Sequence, residues 1–123
     1  MNNYKELIIW QKSVDLAVQI YRTTQGFPKN ELFGLVAQMR RSATSIASNI
    51  AEGAGRNSNK DFSNFLGISN GSICELETQL IIASRTDLIT LSTLQALQVK
   101  ITEIQKMNWS LKRSLLNAKR VNI

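Results

Sequence analysis

Apolar residues recur along this chain at intervals of three and four, the period of an α-helix that packs on one face. The pattern predicts four helices, at about residues 4–25, 30–54, 58–86 and 92–118. No segment has the alternation of apolar and polar residues that a half-buried strand requires. The sequence therefore predicts an all-α fold, an antiparallel up-down-up-down four-helix bundle in a single domain over residues 1–123.

The first predicted helix has two apolar stripes. We predict that one faces the core; it comprises Leu7, Trp10, Val14, Ala17 and Tyr21. Beside it lie Ile9, Leu16 and Ile20. Second stripes also occur on the second and fourth helices, at Phe33, Val36 and Ala47 and at Trp109 and Leu116. Because a bundle buries one face per helix, we favour self-association or a partner surface over a merely wide core.

The ends of the predicted helices have recognisable signals. Ser58 and Ser92 each precede a residue that can complete a capping box, Asp61 and Gln95. Gly53 and Gly55 are expected to end the second helix, because glycine adopts the left-handed caps that other residues avoid. Equal distances from this link place Ser45 near Gly67 and Arg41 near Gly71, from where Arg41 could reach Glu75.

The run from Arg40 to Arg56 is helical in period and rich in small residues, which let a neighbouring helix approach closely. Ser45, Asn49 and Glu52 fall on one helical face. We expect Arg41 to be internal and predict a structural polar network between the second and third helices. Its members are Arg41, Ser45, Asn49, Glu52, Ser72 and Glu75. A weaker alternative is that Glu52 and Glu75 act as an acid-base couple.

Much of the familiar catalytic chemistry is absent from this sequence. The chain has no histidine and one cysteine, Cys74, which excludes a Ser-His triad, a zinc site of several cysteines and an internal disulfide. We expect no enzymatic activity, no cofactor and no metal. The single cysteine and the absence of a signal peptide indicate a cytoplasmic protein. No apolar run approaches the roughly 20 residues of a membrane span.

The net charge is +6, and it is concentrated late in the chain. From Ile104 to the end there are five basic residues and no acidic residue. This excess indicates a polyanion partner, with RNA or DNA the leading case. Cations that favour a helix end, or that serve solubility, are the alternative.

Residues with a specific order and spacing connect this chain to a known family. They are Trp10, Ala17, Ile20-Tyr21, Thr24, Phe27-Pro28, Glu31, Gly34-Leu35, Gln38, Arg40-Arg41-Ser42-Ala43, Ser45-Ile46, Asn49-Ile50-Ala51-Glu52-Gly53, Gly55-Arg56, Gly71-Ser72 and Glu75-Leu76. The sequence resembles the four-helix bundle proteins encoded in intervening sequences of bacterial 23S ribosomal RNA genes. Such proteins are similar to the accessory variability determinant protein of diversity-generating retroelements, a pentameric barrel with a basic surface. The resemblance implies a ring-like homo-oligomer, a homopentamer, that binds nucleic acid without enzymatic chemistry.

Two functions remain in competition on the sequence alone. In the first, arginine and lysine side chains neutralise phosphates of RNA or another nucleic acid. The candidates are Arg40, Arg56, Lys106, Lys112, Arg113, Lys119 and Arg120. Trp109 alone is available for base stacking in the basic region, which favours recognition of shape or backbone. In the second, the bundle is a scaffold that docks a partner protein on its apolar faces.

Overall fold

A computed structural model describes the backbone of residues 3–121 and the side chains of residues 3–118. This part of the chain contains four α-helices and no strand: α1 (Ile8–Thr24), α2 (Ala37–Ala54), α3 (Asn59–Arg85) and α4 (Leu91–Val121). Helix α1 packs against α2 and α4, and α3 packs against the same two helices. The helices therefore surround one apolar core. Its fully buried side chains include Leu16, Ile20, Met39, Ile46, Ile50, Leu66, Ile73, Leu76, Leu80, Ile101 and Ile104.

The first two helices begin later than the sequence pattern predicts. Tyr4–Glu6 is a separate 3-10 turn, in which Asn3 Oδ1 accepts the backbone N–H of Lys5 at 3.1 Å. Between Lys29 and Val36 the chain forms a 3-10 turn and then one π turn. Gly34 in that π turn has φ −105° and ψ −107°, which is not helical, so regular α2 begins only at Ala37.

Helix α1 buries the other of its two apolar stripes. Ile9, Leu16 and Ile20 are at most 3% exposed, whereas Tyr21 is 41% exposed and Trp10 is half-buried. Of the stripe predicted to face the core, only Ala17 is fully buried. The buried face also contains polar residues, and their hydroxyl groups are hydrogen-bonded. Ser13 and Thr24 donate their hydroxyls to the carbonyls four residues earlier, both at 2.7 Å.

The α2–α3 contact has a different register from the one that equal distances predict. Ser45 accepts a hydrogen bond from Ser72 at 2.9 Å, and Ser69 Oγ donates to the Ile46 carbonyl at 2.9 Å. Ser45 therefore lies beside Ser72 rather than Gly67. The first turn of α3 extends past the end of α2, and this extension shifts every later pairing.

Gly53 has a packing role instead of a capping role. None of the glycines has a positive φ, and α2 continues through Gly53 to Ala54. A Cβ placed on Gly53 would lie 2.7 Å from Phe65 Cβ and 2.9 Å from Phe62 Cδ1. The missing side chain is what lets the aromatic start of α3 approach α2.

The last two helices have well-defined starts. Ser58 caps α3 as predicted, accepting the N–H of Asp61 at 3.1 Å. Helix α4 begins one residue before the predicted position, and Thr90, not Ser92, accepts the N–H of Thr93 at 3.1 Å. Asp87 turns the chain between them with a φ of 63°.

We predict that Gly53→Ala destabilises the protein by about 1–3 kcal/mol, because the new methyl group would overlap Phe62 and Phe65. Gly71→Ala in α3 is the matched control, since a Cβ there meets nothing within 4 Å. It should stabilise the protein by about 0.5–1 kcal/mol through helix propensity. Urea unfolding of both variants tests the pair. Equal effects of the two substitutions would contradict the packing role.

Candidate nucleic-acid interface

The solvent side of α4 has cationic and apolar residues in alternation. Lys106, Trp109, Arg113 and Leu116 are all exposed and follow one another at spacings of three, four and three residues. They therefore lie along one line on the helix, here called the α4 stripe. Lys119 and Arg120 follow in sequence, but their side chains lie outside the described residues.

Arg113 and Trp109 form a stacked pair within the α4 stripe. The Arg113 guanidinium carbon lies 4.7 Å from the centre of the Trp109 indole, within the range of a cation–π interaction. Trp109 nevertheless remains 60% exposed. The pair thus offers a planar apolar surface beside a delocalised positive charge, which suits both a base and a phosphate.

Lys112 points from α4 across α3. It is half-buried, and its Nζ would lie 3.6 Å from a Cβ on Gly67, so the glycine leaves space for the ammonium group. Nearby, α3 and α4 enclose a small groove of about 140 Å³. It is lined by Asn59, Lys60, Ser63, Asn64, Leu115 and Leu116.

Lys60 was missed by the sequence analysis. It lies in a stretch of the chain with more acidic than basic residues, so a count along the sequence hides it. Packing of α3 against α4 places it in the same groove as Leu116 of the α4 stripe. The pairing of the start of α3 with the end of α4, which an up-down bundle requires, is the signal that could have revealed it.

Arg56 lies in the α2–α3 link, at the same end of the bundle as this groove, since both adjoining concavities include Leu115. Its Nη2 lies 3.8 Å from Glu52 Oε2, and its guanidinium carbon lies 4.9 Å from the Phe65 ring centre. An exposed pair of this kind contributes at most about 1 kcal/mol. A phosphate can therefore compete with Glu52 for Arg56.

Arg40 is occupied within the bundle. Its Nε donates to Thr24 Oγ1 at 3.0 Å, and its Nη2 donates to the Tyr21 carbonyl at 3.3 Å. The guanidinium carbon also lies 4.6 Å from the centre of the Tyr21 ring. Arg40 thus connects α2 to α1, apart from the α4 stripe, and its donors are already partly used.

The predicted polar network is divided into separate pairs and clusters. Asn49 donates to the carbonyl and the hydroxyl of Ser45 at 2.8 and 2.9 Å, and Ser72 completes this cluster. Glu75 instead accepts the hydroxyl of Ser42 at 3.2 Å, a residue that the prediction did not include.

Arg41 and Glu52 lie apart from the Ser45 cluster. Arg41, which we expected to be internal, is exposed, and no ion pair within 4 Å joins it to Glu75 in the described part of the chain. Glu75 lies level with Ser42, ten residues before Glu52 on α2, so the two carboxylates are separated by roughly 15 Å along the helix axis. They are too far apart to serve as an acid-base couple.

The part of the chain that the structure describes has neither a cluster of metal ligands nor a membrane-spanning helix. Within residues 3–118, no three side chains of histidine, cysteine, aspartate or glutamate come together as metal ligands would. None of the described helices combines the length and the hydropathy required to cross a membrane.

Comparison with known proteins now gives the family. A model of the 23S rRNA-intervening sequence protein family matches residues 5–110. The chain belongs to this family. No curated protein matches it. A protein of unknown function from Bacteroides thetaiotaomicron VPI-5482, of the S23 ribosomal protein family, has a similar crystal structure. The two share 31% sequence identity with a TM-score of 0.77, over 85% of this chain and 98% of that one.

The family match includes only part of the α4 stripe. Lys106 and Trp109 lie within residues 5–110, whereas Arg113 and Leu116 lie beyond them. The family model leaves the last turns of α4 unmatched.

We predict that Arg40→Gln lowers the free energy of unfolding by about 1 kcal/mol, since the α1–α2 hydrogen bonds to Thr24 and Tyr21 are lost. Arg41→Gln is the matched control. It removes the same charge from the next residue, which is exposed, and should change stability by less than about 0.5 kcal/mol. Thermal unfolding compares the two, and a larger loss for Arg41→Gln would show that the roles are misassigned.

Proposed function

We propose that this 23S rRNA-intervening sequence protein is a non-enzymatic, homo-oligomeric bundle that binds nucleic acid, with RNA as the preferred class. The observation that carries the proposal is the α4 stripe, in which Lys106 and Arg113 flank an exposed tryptophan. The Arg113 guanidinium carbon lies 4.7 Å from the Trp109 ring centre, which supports the proposal because it keeps a cation beside an exposed aromatic ring.

We further propose that the helices run antiparallel, up-down-up-down. Hydrogen bonds between α2 and α3 support this arrangement, because Ser42 pairs with Glu75 and Ser45 with Ser72. Between α3 and α4, Asn59 donates to the Leu115 carbonyl at 3.4 Å and Asn108 to the Leu66 carbonyl at 3.0 Å. In this arrangement the end of α4 lies beside the start of α3 and the α2–α3 link.

Three cations from different elements are then brought to one end of the bundle: Arg56 of the α2–α3 link, Lys60 of α3 and Lys112 of α4. Arg113 follows Lys112 on α4. Each can neutralise a phosphate, and Glu52 and Asp61 are the acidic side chains beside them. Affinity from such a surface comes chiefly from counterion release and depends steeply on salt.

The mode of recognition follows from the scarcity of aromatic residues on α4. Trp109 can stack on one base or lie along the minor groove of a helix, and no second exposed aromatic accompanies it on the described part of α4. Stacking on a single ring tolerates any base. We therefore expect the protein to read backbone and shape rather than sequence.

A homo-oligomer would multiply this surface. The resemblance to the accessory variability determinant protein supports a ring-like assembly of five copies, each adding its own cations.

The test is fluorescence anisotropy with a labelled structured RNA over about 50–200 mM salt. We expect tight binding with a steep negative slope of log affinity against log salt. Lys106→Gln with Arg113→Gln should reduce the steepness by about two, one for each lost phosphate contact.

Lys29→Gln with Arg85→Gln is the matched control. It removes the same charge from exposed positions at the opposite end of the proposed bundle and should leave most of the affinity intact. Equal losses in the two double variants would show that net charge, and not the α4 stripe, determines binding. No binding at low salt would contradict the proposed function itself.

A further inference from the structure

An open apolar groove of about 630 Å³ runs between α1 and α2. Its α1 side carries the aromatic stripe that the sequence analysis placed in the core, and its α2 side is built from small residues. It is lined by Tyr4, Trp10, Val14, Ala17, Val18, Tyr21, Arg22, Gln25, Thr44, Ala47, Ser48 and Ala51. The small α2 side chains keep the groove deep, and the aromatic rings make it wide. We call it the α1–α2 groove.

An apolar protrusion lies elsewhere on the same chain. Phe33 is 92% exposed, the most of any large hydrophobic residue described, and its neighbour Leu32 is 47% exposed. Both belong to the π turn at the non-helical Gly34. A phenylalanine left in water forgoes the favourable free energy of burial, so an exposed Phe33 is a cost to the isolated subunit.

One charged residue beside each feature has the opposite sign to the other, Glu31 near the protrusion and Arg22 at the groove. An added Cβ on Gly34 would lie 3.9 Å from Glu31 Oε1, so this carboxylate lies close to Phe33 along the chain. Arg22 is exposed and lines the α1–α2 groove. Neither Glu31 nor Arg22 forms an ion pair within the part of the chain that the structure describes.

We propose that Leu32 and Phe33 of a second copy of this chain fill the α1–α2 groove, with Glu31 of that copy against Arg22. The inference rests on the homo-oligomer of the proposed function and specifies its interface. Phe33 cannot fill its own groove, because it precedes the groove residue Thr44 by three turns of the same chain segment and is almost fully exposed.

The α4 stripe is a poorer occupant. Trp109 is also exposed, but it carries Arg113 beside it, and this arginine would meet Arg22 at the edge of the groove. Like charges brought together in a contact repel and weaken it. Phe33 instead has Glu31 beside it, whose charge is opposite to that of Arg22.

The proposed contact is heterologous, since the protrusion and the groove are different surfaces. Each subunit gives one protrusion and receives another, so the contacts close into a ring or extend as a fibre. An isologous dimer, in which one patch meets itself, would not join these two features. The distinction can be tested by mixing two variants.

The experiment measures molar mass by size-exclusion chromatography with light scattering. Phe33→Asp removes the protrusion, and Ser48→Trp fills the groove from an exposed α2 position. The unaltered chain should be an oligomer and each variant a monomer with an unchanged helical circular dichroism spectrum. A one-to-one mixture should form a dimer, because only the Ser48→Trp protrusion and the Phe33→Asp groove remain intact. Val99→Asp, on exposed α4, is the control and should leave the oligomer unchanged.

The outcomes separate this inference from the proposed function. An oligomer that persists in Phe33→Asp, or variants that do not dimerise on mixing, would overturn the assigned contact while leaving self-association intact. A monomeric unaltered chain would overturn both the contact and the homo-oligomer. The salt series with RNA tests the α4 stripe, so it would still decide nucleic-acid binding separately.

Discussion

The close approach of α2 and α3 at Gly53 is the constraint on which the rest of the bundle depends. Without a side chain at Gly53, Phe62 and Phe65 pack directly on α2. This contact sets where α3 starts relative to α2 and therefore which residues meet above it, Ser45 with Ser72 among them. Helix α4 in turn packs on α3 with Lys112 over Gly67, and burial of Leu97, Ile101 and Ile104 turns the α4 stripe outward.

The orientation of α1 depends on the ability of its buried polar residues to form hydrogen bonds without solvent. Ser13 and Thr24 satisfy their hydroxyls on their own helix, so a face that contains them can be buried at little cost. Ile9, Leu16 and Ile20 supply compact side chains for that face. The larger ring of Trp10 is then only half-buried, and that of Tyr21 is left at the surface, where Arg40 covers one side of it. These two rings line the α1–α2 groove because α1 buries its other apolar face.

Helical periodicity located α3 and α4 to within a few residues, because long amphipathic segments with polar caps leave few alternatives. It did not predict the irregular turns between Lys29 and Val36. The non-helical backbone at Gly34 has no counterpart in the spacing of apolar residues. Periodicity also failed to rank the two stripes of α1, since size and hydrophobicity favour tryptophan and tyrosine over serine and threonine. A spatial cluster such as Lys60 with the α4 stripe can be predicted only when the register between neighbouring helices is known. The register of α2 and α3 depends on the packing around Gly53.

The two candidate surfaces lie on different parts of the bundle, and this separation has a functional consequence. The α1–α2 groove and Phe33 would be covered by assembly, whereas the α4 stripe contributes no residue to that groove. Assembly therefore need not cost cations, and each added subunit presents another copy of the same basic end. Phosphate contacts that are weak in one subunit become strong when a single RNA spans several, because each later contact forms at high effective concentration. A bundle with few aromatic residues for base recognition gains affinity most readily by this route.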